Sequence, residues 1–172
     1  MTQSTRKTYS VDLIARYFLS LARAEEEPDL ITNLKLQKLC YYAFGVMSAL
    51  REENDPPLFE DPIEAWMHGP VIPNLYENFK KYGSSPIPEM ESLPYEEFSI
   101  FDPKDREVLD DVFEYYGQFS AWRLRNMTHE EQPWKDAYSH RCYYDTIEKN
   151  DIREYFSKQK VTTEEYINSY RN

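Results

Sequence analysis

Apolar side chains recur every three or four residues along most of this chain, which is the spacing of amphipathic helices. Val11, Ile14 and Phe18 follow this spacing, and Ser10 precedes them as a residue type that often caps helices. The sequence therefore predicts a first helix that begins after Ser10 and ends before the glutamate-rich run at 25–28.

A second helix is predicted from Thr32 to about Leu50. Leu36, Leu39 and Cys40 are among its inward positions, and apolar residues occupy much of its circumference. A helix that is apolar on several sides must be covered on several sides. We therefore expect this helix to be central.

Later helix starts are marked by capping residues or by proline. They are predicted at Pro73, at Asp102 with Pro103, at Ser120, at Pro133, at Asn150, and at Thr162 with Glu165 as a capping box. Alternating side chains at 63–68 predict one short strand. The fold class is mainly α: a single compact multi-helix domain over 1–172, with minor β elements and proline-rich loops.

The segment 84–101 contains three prolines and several carboxylates. Such a composition predicts an exposed loop, with at most one extended edge, between helices. Because loops of this kind carry recognition in many proteins, we expect it to be a mobile element that contacts a partner.

Composition indicates a folded protein with a sizeable core. Of the 172 residues, 41% are hydrophobic, and 15 are tyrosine. Only four glycines are present, and no glycine-rich phosphate-binding pattern occurs. No run is long and apolar enough for a membrane span or a signal peptide, so we expect a soluble, cytoplasmic protein with no membrane partner.

The net charge of −11 is concentrated in the middle of the chain. Residues 51–110 carry 15 Asp and Glu against 5 Lys and Arg. An acidic field repels nucleic acid backbones and attracts basic proteins. This distribution argues against direct nucleic-acid binding and favours a basic protein partner, the alternative being a solvated face that only promotes solubility.

Candidate catalytic and metal-binding residues form no recognisable motif. His68, His129, His140 and Cys142 are zinc-ligand types, but their spacing matches no zinc pattern. Cys40 lies in an apolar helical run, where burial would keep a thiol unreactive. No nucleophile, base and orienting group stand together, so we expect neither enzymatic activity nor a cofactor. A small metal-dependent hydrolase is the least favoured alternative.

Two clusters each place an aromatic residue, a histidine and a proline within eight residues. They are WMHGPVIP at 66–73 and MTHEEQPW at 127–134. Trp66 and Trp134 are interpreted as core anchors, and His68 as a residue that fixes the following turn by hydrogen bonding. Thr128 is expected to cap the next helix.

These clusters, together with the string TNLKLQKLCYYAFGV at 32–46 and its continuation PIEAWMHGPVIPNLYENFKKYG at 62–83, resemble the Panacea domain of SocA-type, phage-associated proteins. The resemblance covers roughly residues 8–140 and leaves 141–172 as a helical extension. Family members commonly have an aliphatic residue at the position of Cys40. The motif positions that carry the resemblance are Thr32, Leu34, Leu36, Gln37, Lys38, Leu39, Tyr41, Trp66, His68, Gly69, Pro70, Val71, Pro73, Thr128, His129, Pro133 and Trp134.

The resemblance implies an antitoxin of a type II-like toxin–antitoxin system. Panacea-domain proteins neutralise toxins by direct binding, and some of those toxins attack translation through tRNA. SocA-like members instead act as adaptors that deliver a toxin to the ClpXP protease, which is the alternative function. Since the shared motifs occur with unrelated toxins, they are expected to maintain the fold. The acidic residues Glu89, Glu91, Glu96 and Glu97 are the candidate toxin-binding positions.

Overall fold

The computed structural model describes residues 6–25, 30–138 and 145–159. Within these ranges the fold is mainly α with one small sheet, as predicted. The helices are α1 Val11–Arg23, α2 Asn33–Leu50, α3 Pro73–Phe79, α4 Pro103–Tyr116, α5 Ala121–His129, α6 Gln132–Ala137 and α7 Lys149–Lys158. The strands are β1 Glu64–Trp66, β2 Gly69–Val71 and β3 Asp145–Thr146. The capping pattern predicted at Thr162 and Glu165 lies outside the described residues.

Helix α2 lies at the centre, as its broad apolar surface predicted. It contacts α1, α4, α5 and α7, and nearly every side chain from Asn33 to Met47 is buried. Thr32 accepts a hydrogen bond from the Lys35 N–H at its N-terminus. Cys40 is fully buried, as expected, and burial raises the pKa of its thiol. The core therefore forms around one helix, and the other elements cover it.

Local capping determines several other helix starts. The side chain of Asp102 accepts from the Lys104 N–H at 3.0 Å before α4, and Ser120 accepts from the Arg123 N–H at 3.1 Å before α5. Ser10 precedes α1 without a side-chain cap. Helix α7 begins at Lys149 after Glu148, slightly earlier than the predicted start at Asn150.

The sheet has the order β2–β1–β3, with both pairings antiparallel. Ala65 lies opposite Pro70 in the β1–β2 hairpin and opposite Asp145 in the other pairing. Only β1 was predicted from the sequence, because β2 begins with Gly69 and Pro70, residue types that strands disfavour, and β3 has only two residues. The hairpin packs against α2 and α5.

Segment 84–101 differs from the predicted loop. It contains two 3₁₀ turns, Glu89–Glu91 and Tyr95–Ile100, and buries Ile87, Leu93 and Phe101. Three prolines prevented a regular helix, but the apolar side chains between them still enter the core.

Asp105, in the first turn of α4, connects the segment before α1 with the end of α2. Its carboxylate accepts hydrogen bonds from Tyr9 at 2.8 Å, from Arg6 at 3.2 Å and from Arg51 at 3.2 Å. Asp105 and Arg51 are both buried, so each charge has the other as its partner in place of water. None of the helices in the described ranges is long and apolar enough to cross a membrane.

Candidate functional site

The family-type motifs meet around the β1–β2 hairpin. Gly69 opens β2 with φ +100°, a conformation that favours glycine. A Cβ at this position would lie 2.7 Å from both Lys38 Cε and Thr128 Oγ1. Residues from two distant stretches of sequence, in α2 and α5, therefore converge on one glycine.

Two side chains of α2 close the outer edge of β2. The Lys38 Nζ donates to the Pro70 carbonyl at 2.8 Å, and the Gln37 Oε1 accepts from the Ile72 N–H at 2.9 Å. Gln37 also donates to the Asn33 side chain at 2.9 Å. These bonds pair two buried backbone groups, one in β2 and one just after it, that the edge of the sheet would otherwise leave without partners.

Lys38 has no accessible surface. Desolvation, with a smaller contribution from the positive charge of Arg125, lowers its pKa to about 7. A lysine with such a pKa can act as a base or a nucleophile when substrate reaches it. Here the amine is bonded to a backbone carbonyl and packed against Gly69, so its geometry serves structure.

The second motif covers the hairpin from the other side. The His129 ring stacks on Trp134 with centroids 3.7 Å apart, and the Trp134 Nε1 donates to the Trp66 carbonyl at 2.8 Å. Burial, and then the positive charges of Arg125 and Lys38, lower the pKa of His129 to about 4, against the effect of a hydrogen bond to the Met67 backbone. A neutral histidine stacked on tryptophan is a packing group.

Two of the expectations for these motifs, on Thr128 and His68, were wrong. Thr128 does not cap the next helix: it lies in the last turn of α5, and its Oγ1 donates to the Arg125 carbonyl at 2.7 Å. His68 does not fix the turn by hydrogen bonding, because its Nδ1 is buried with no partner among the described residues. Its ring instead lies 5.6 Å from that of Trp122.

The remaining motif residues lie in helices or at their ends. Thr32 caps α2, Leu36 is in the core, Pro73 begins α3, and Pro133 is buried in the first turn of α6. Trp134 is partly buried and packs against the core. The expectation that Trp66 anchors the core was wrong, because its partly buried ring lies 5.0 Å from that of Tyr76 and its Nε1 donates to Glu64.

Within the part of the chain that the structure describes, no three or more His, Cys, Asp or Glu side chains group as metal ligands do. His140 and Cys142, two of the candidate zinc ligands, lie outside the described residues. His68 lies against Trp122 and His129 stacks on Trp134, so the two histidines pack on different tryptophans.

Glu131 is a half-buried acid that sequence reasoning missed. The Tyr42 hydroxyl lies 3.1 Å and 3.0 Å from its two carboxylate oxygens. Desolvation raises the pKa of Glu131 to about 8 despite this bond. Little in the sequence distinguishes Glu131 as an inward-facing acid, because it follows another glutamate and its partner Tyr42 lies 89 residues away.

A groove of about 450 Å³ runs beside the hairpin turn. Tyr76 and Met67 are among its apolar lining residues, and Met67 is 59% exposed. Its lining from the described ranges includes no carboxylate, although the chain is strongly acidic. That lining consists of Asn33, Leu34, Gln37, Trp66, Met67, His68, Val71, Tyr76, Lys80, Gly83 and Ser84.

The four acidic candidates divide into two groups. Glu89, Glu96 and Glu97 are exposed, as a steering surface requires. Glu91 is buried, where its carboxylate pairs with Arg16 at 2.8 Å and accepts from the Tyr82 hydroxyl at 2.9 Å. Desolvation raises the pKa of Glu91, but these two partners outweigh it, so the net shift is downward. Glu91 therefore belongs to the frame of the segment, contrary to the expectation that it faces a partner.

The stretch of sequence that builds α2 and this hairpin region is shared with a known class of proteins. The chain matches the family described as "Antitoxin SocA-like, Panacea domain" over residues 36–135, and it belongs to that family. It is also similar to Antitoxin SocA of Caulobacter vibrioides, with 31% identity over 144 residues, covering 78% of this chain and 74% of that protein. No solved structure matches.

Proposed function

We propose that this protein is an antitoxin that neutralises a cognate toxin by binding it directly and stoichiometrically. Membership of the antitoxin family supports the role. The structural observation that carries the proposal is the use of the motif side chains: Lys38, Gln37 and Trp134 all bond to backbone groups of the hairpin region. The motif side chains therefore stabilise the fold, and the exposed surface is what remains to bind a partner.

The exposed carboxylates Glu89, Glu96 and Glu97 supply a chemical basis for partner choice. A toxin that modifies tRNA or another RNA needs a basic surface, and an acidic antitoxin attracts that surface before contact. We therefore propose that these three residues steer a basic, translation-targeting toxin in the cytoplasm. Glu91 is excluded from this role by its internal ion pair.

Neutralisation is tested by co-expression with the protein encoded by the adjacent reading frame. The neighbour alone should stop growth, and co-expression should restore growth. The two proteins should then co-purify in a fixed ratio. Growth arrest without rescue, or rescue without a complex, would contradict direct neutralisation.

The same strains distinguish neutralisation from adaptor activity for a AAA+ protease such as ClpXP. After protein synthesis is stopped, the toxin's half-life is followed with and without this chain. A direct neutraliser leaves the half-life unchanged or extends it, because bound proteins resist degradation. A shortened half-life that depends on the protease would establish the adaptor function instead.

A further inference from the structure

Segment 84–101 exposes apolar side chains on a fixed backbone. Met90 is 83% exposed, Tyr95 is 76% exposed, and Ile100 is 46% exposed. Single exposed apolar residues are ordinary on protein surfaces. Three of them on one short segment, accompanied by exposed Glu89, Glu96 and Glu97 and by no lysine or arginine, form an unusual surface.

The first turn of this segment is bonded to α1. The Arg16 guanidinium donates to the Glu91 carbonyl at 3.0 Å, and the Leu93 N–H donates to the Arg16 carbonyl at 3.1 Å. The Ser20 hydroxyl then donates to the Leu93 carbonyl at 2.7 Å. The backbone between Met90 and Tyr95 is thereby held in place.

The second turn is held by aromatic packing. The Phe98 ring meets the Tyr17 ring edge-on at 4.9 Å, and the Arg106 guanidinium lies 5.1 Å from the centre of the Phe98 ring. Because Arg16 and Tyr17 are adjacent in α1, both turns rest on the same stretch of one helix. The two turns are thereby fixed relative to one another.

We infer that residues 89–100 form a preformed docking face for one segment of the toxin, in which apolar side chains are flanked by lysine or arginine. This inference rests on the proposed antitoxin function and adds the contact surface and its chemistry. Met90 and Tyr95 provide the apolar contact, and Glu89, Glu96 and Glu97 complement the flanking positive charge. A fixed backbone also lowers the entropy lost on binding.

Apolar anchors and surrounding charges affect binding kinetics differently. Charges at the margin mainly change the association rate and its salt dependence. Apolar side chains that become buried on binding mainly determine the dissociation rate, which is also the rate that most interface substitutions change. If Met90 and Tyr95 are the anchors, removing their side chains should change the dissociation rate much more than the association rate.

The test measures association and dissociation rates of the complex between the full-length chain and the neighbouring toxin. Met90→Ser combined with Tyr95→Ser should speed dissociation by about tenfold or more and change association by less than about threefold. Met67→Ser is the matched control, because Met67 is also exposed but lies on the hairpin turn. It should leave both rates within about twofold.

The possible outcomes separate the docking face from the antitoxin function. If the wild-type chain binds the toxin and the double variant dissociates at the wild-type rate, the docking face is overturned while the antitoxin function stands. The docking face is also overturned if Met67→Ser has the same effect. If the wild-type chain shows no binding, the proposed function fails. In equilibrium sedimentation, a wild-type dimer that the double variant abolishes would overturn the docking face too, because a second copy would then occupy it.

Discussion

At the scale of single residues, Gly69 is tightly packed at the centre of the hairpin motif. A Cβ there would meet Lys38 and Thr128, both fully buried, on a backbone with positive φ. Strain and overpacking together predict that Gly69→Ala lowers the free energy of unfolding by about 3 kcal/mol. Chemical denaturation measures this value.

Gly83→Ala is the natural control for that substitution. Gly83 also has positive φ, at +56°, but a Cβ added there would have no atom of the described residues within 4 Å. It should therefore cost only the strain of its own backbone, which has ψ −128° and so lies outside the left-handed helical region, about 2 kcal/mol. Equal losses at the two glycines would show that the contacts with Lys38 and Thr128 contribute nothing.

His129 predicts a pH dependence of stability. Its pKa is about 4 in the folded protein against an ordinary 6.5. Between these values the unfolded chain binds a proton that the folded chain does not, so stability falls as pH decreases from 6.5 towards 4. His129→Phe keeps a flat ring beside Trp134 and should flatten this part of the profile. Urea unfolding over this pH range compares the two proteins, and parallel profiles would contradict the prediction.

At the scale of elements, Asp105 ties α4 to the start of α1 and the end of α2. Asp105→Ala would leave the buried Arg51 without its carboxylate partner. Removing one member of a buried ion pair typically costs about 3–5 kcal/mol, and we expect a loss in this range on denaturation. Glu154→Ala, which removes an exposed pair with Lys158, should leave the denaturation midpoint nearly unchanged. A similarly small effect of both substitutions would show that the Asp105 junction contributes little.

Helices were predictable because their signals are local. Thr32, Asp102 and Ser120 cap the elements that their positions predicted. The strands β2 and β3 were not, since β2 contains glycine and proline, β3 has only two residues, and both are defined by pairing with β1. The fixed course of 84–101 was also missed, because it depends on bonds to Arg16 and Ser20, more than 70 residues away in sequence.

The candidate site was predictable only in part, for the same reason. The motif residues could be named from the sequence, but not that Lys38 and Gln37 would bond to the backbone around β2. Composition marked the acidic segment. It could not separate the inward Glu91 from the outward Glu89, because their difference arises from the position of Arg16.

At the scale of the whole molecule, the charge of −11 acts at distances beyond any single contact. Reversing Glu89, Glu96 and Glu97 to lysine should slow toxin association by about tenfold at low ionic strength and remove most of its salt dependence. Stopped-flow mixing at several salt concentrations measures both effects.

The control for this variant makes the same change in net charge elsewhere. Glu52, Glu53 and Glu60 are exposed and lie outside segment 84–101. Their reversal to lysine should slow association much less. If both triple variants behave alike, overall charge and not the location of the carboxylates governs encounter. If neither changes the rate, steering is rejected and the antitoxin function is unaffected.

The inward orientation of Glu91 has a consequence for protein engineering. The bonds that hold segment 84–101 use Glu91, backbone carbonyls and Phe98, none of which needs the side chains displayed at 89, 90, 96 and 97, whereas Tyr95 packs against Phe98. Those four positions can be randomised in a library while the scaffold stays intact. Selection against new targets would then alter what the molecule recognises without altering how it folds.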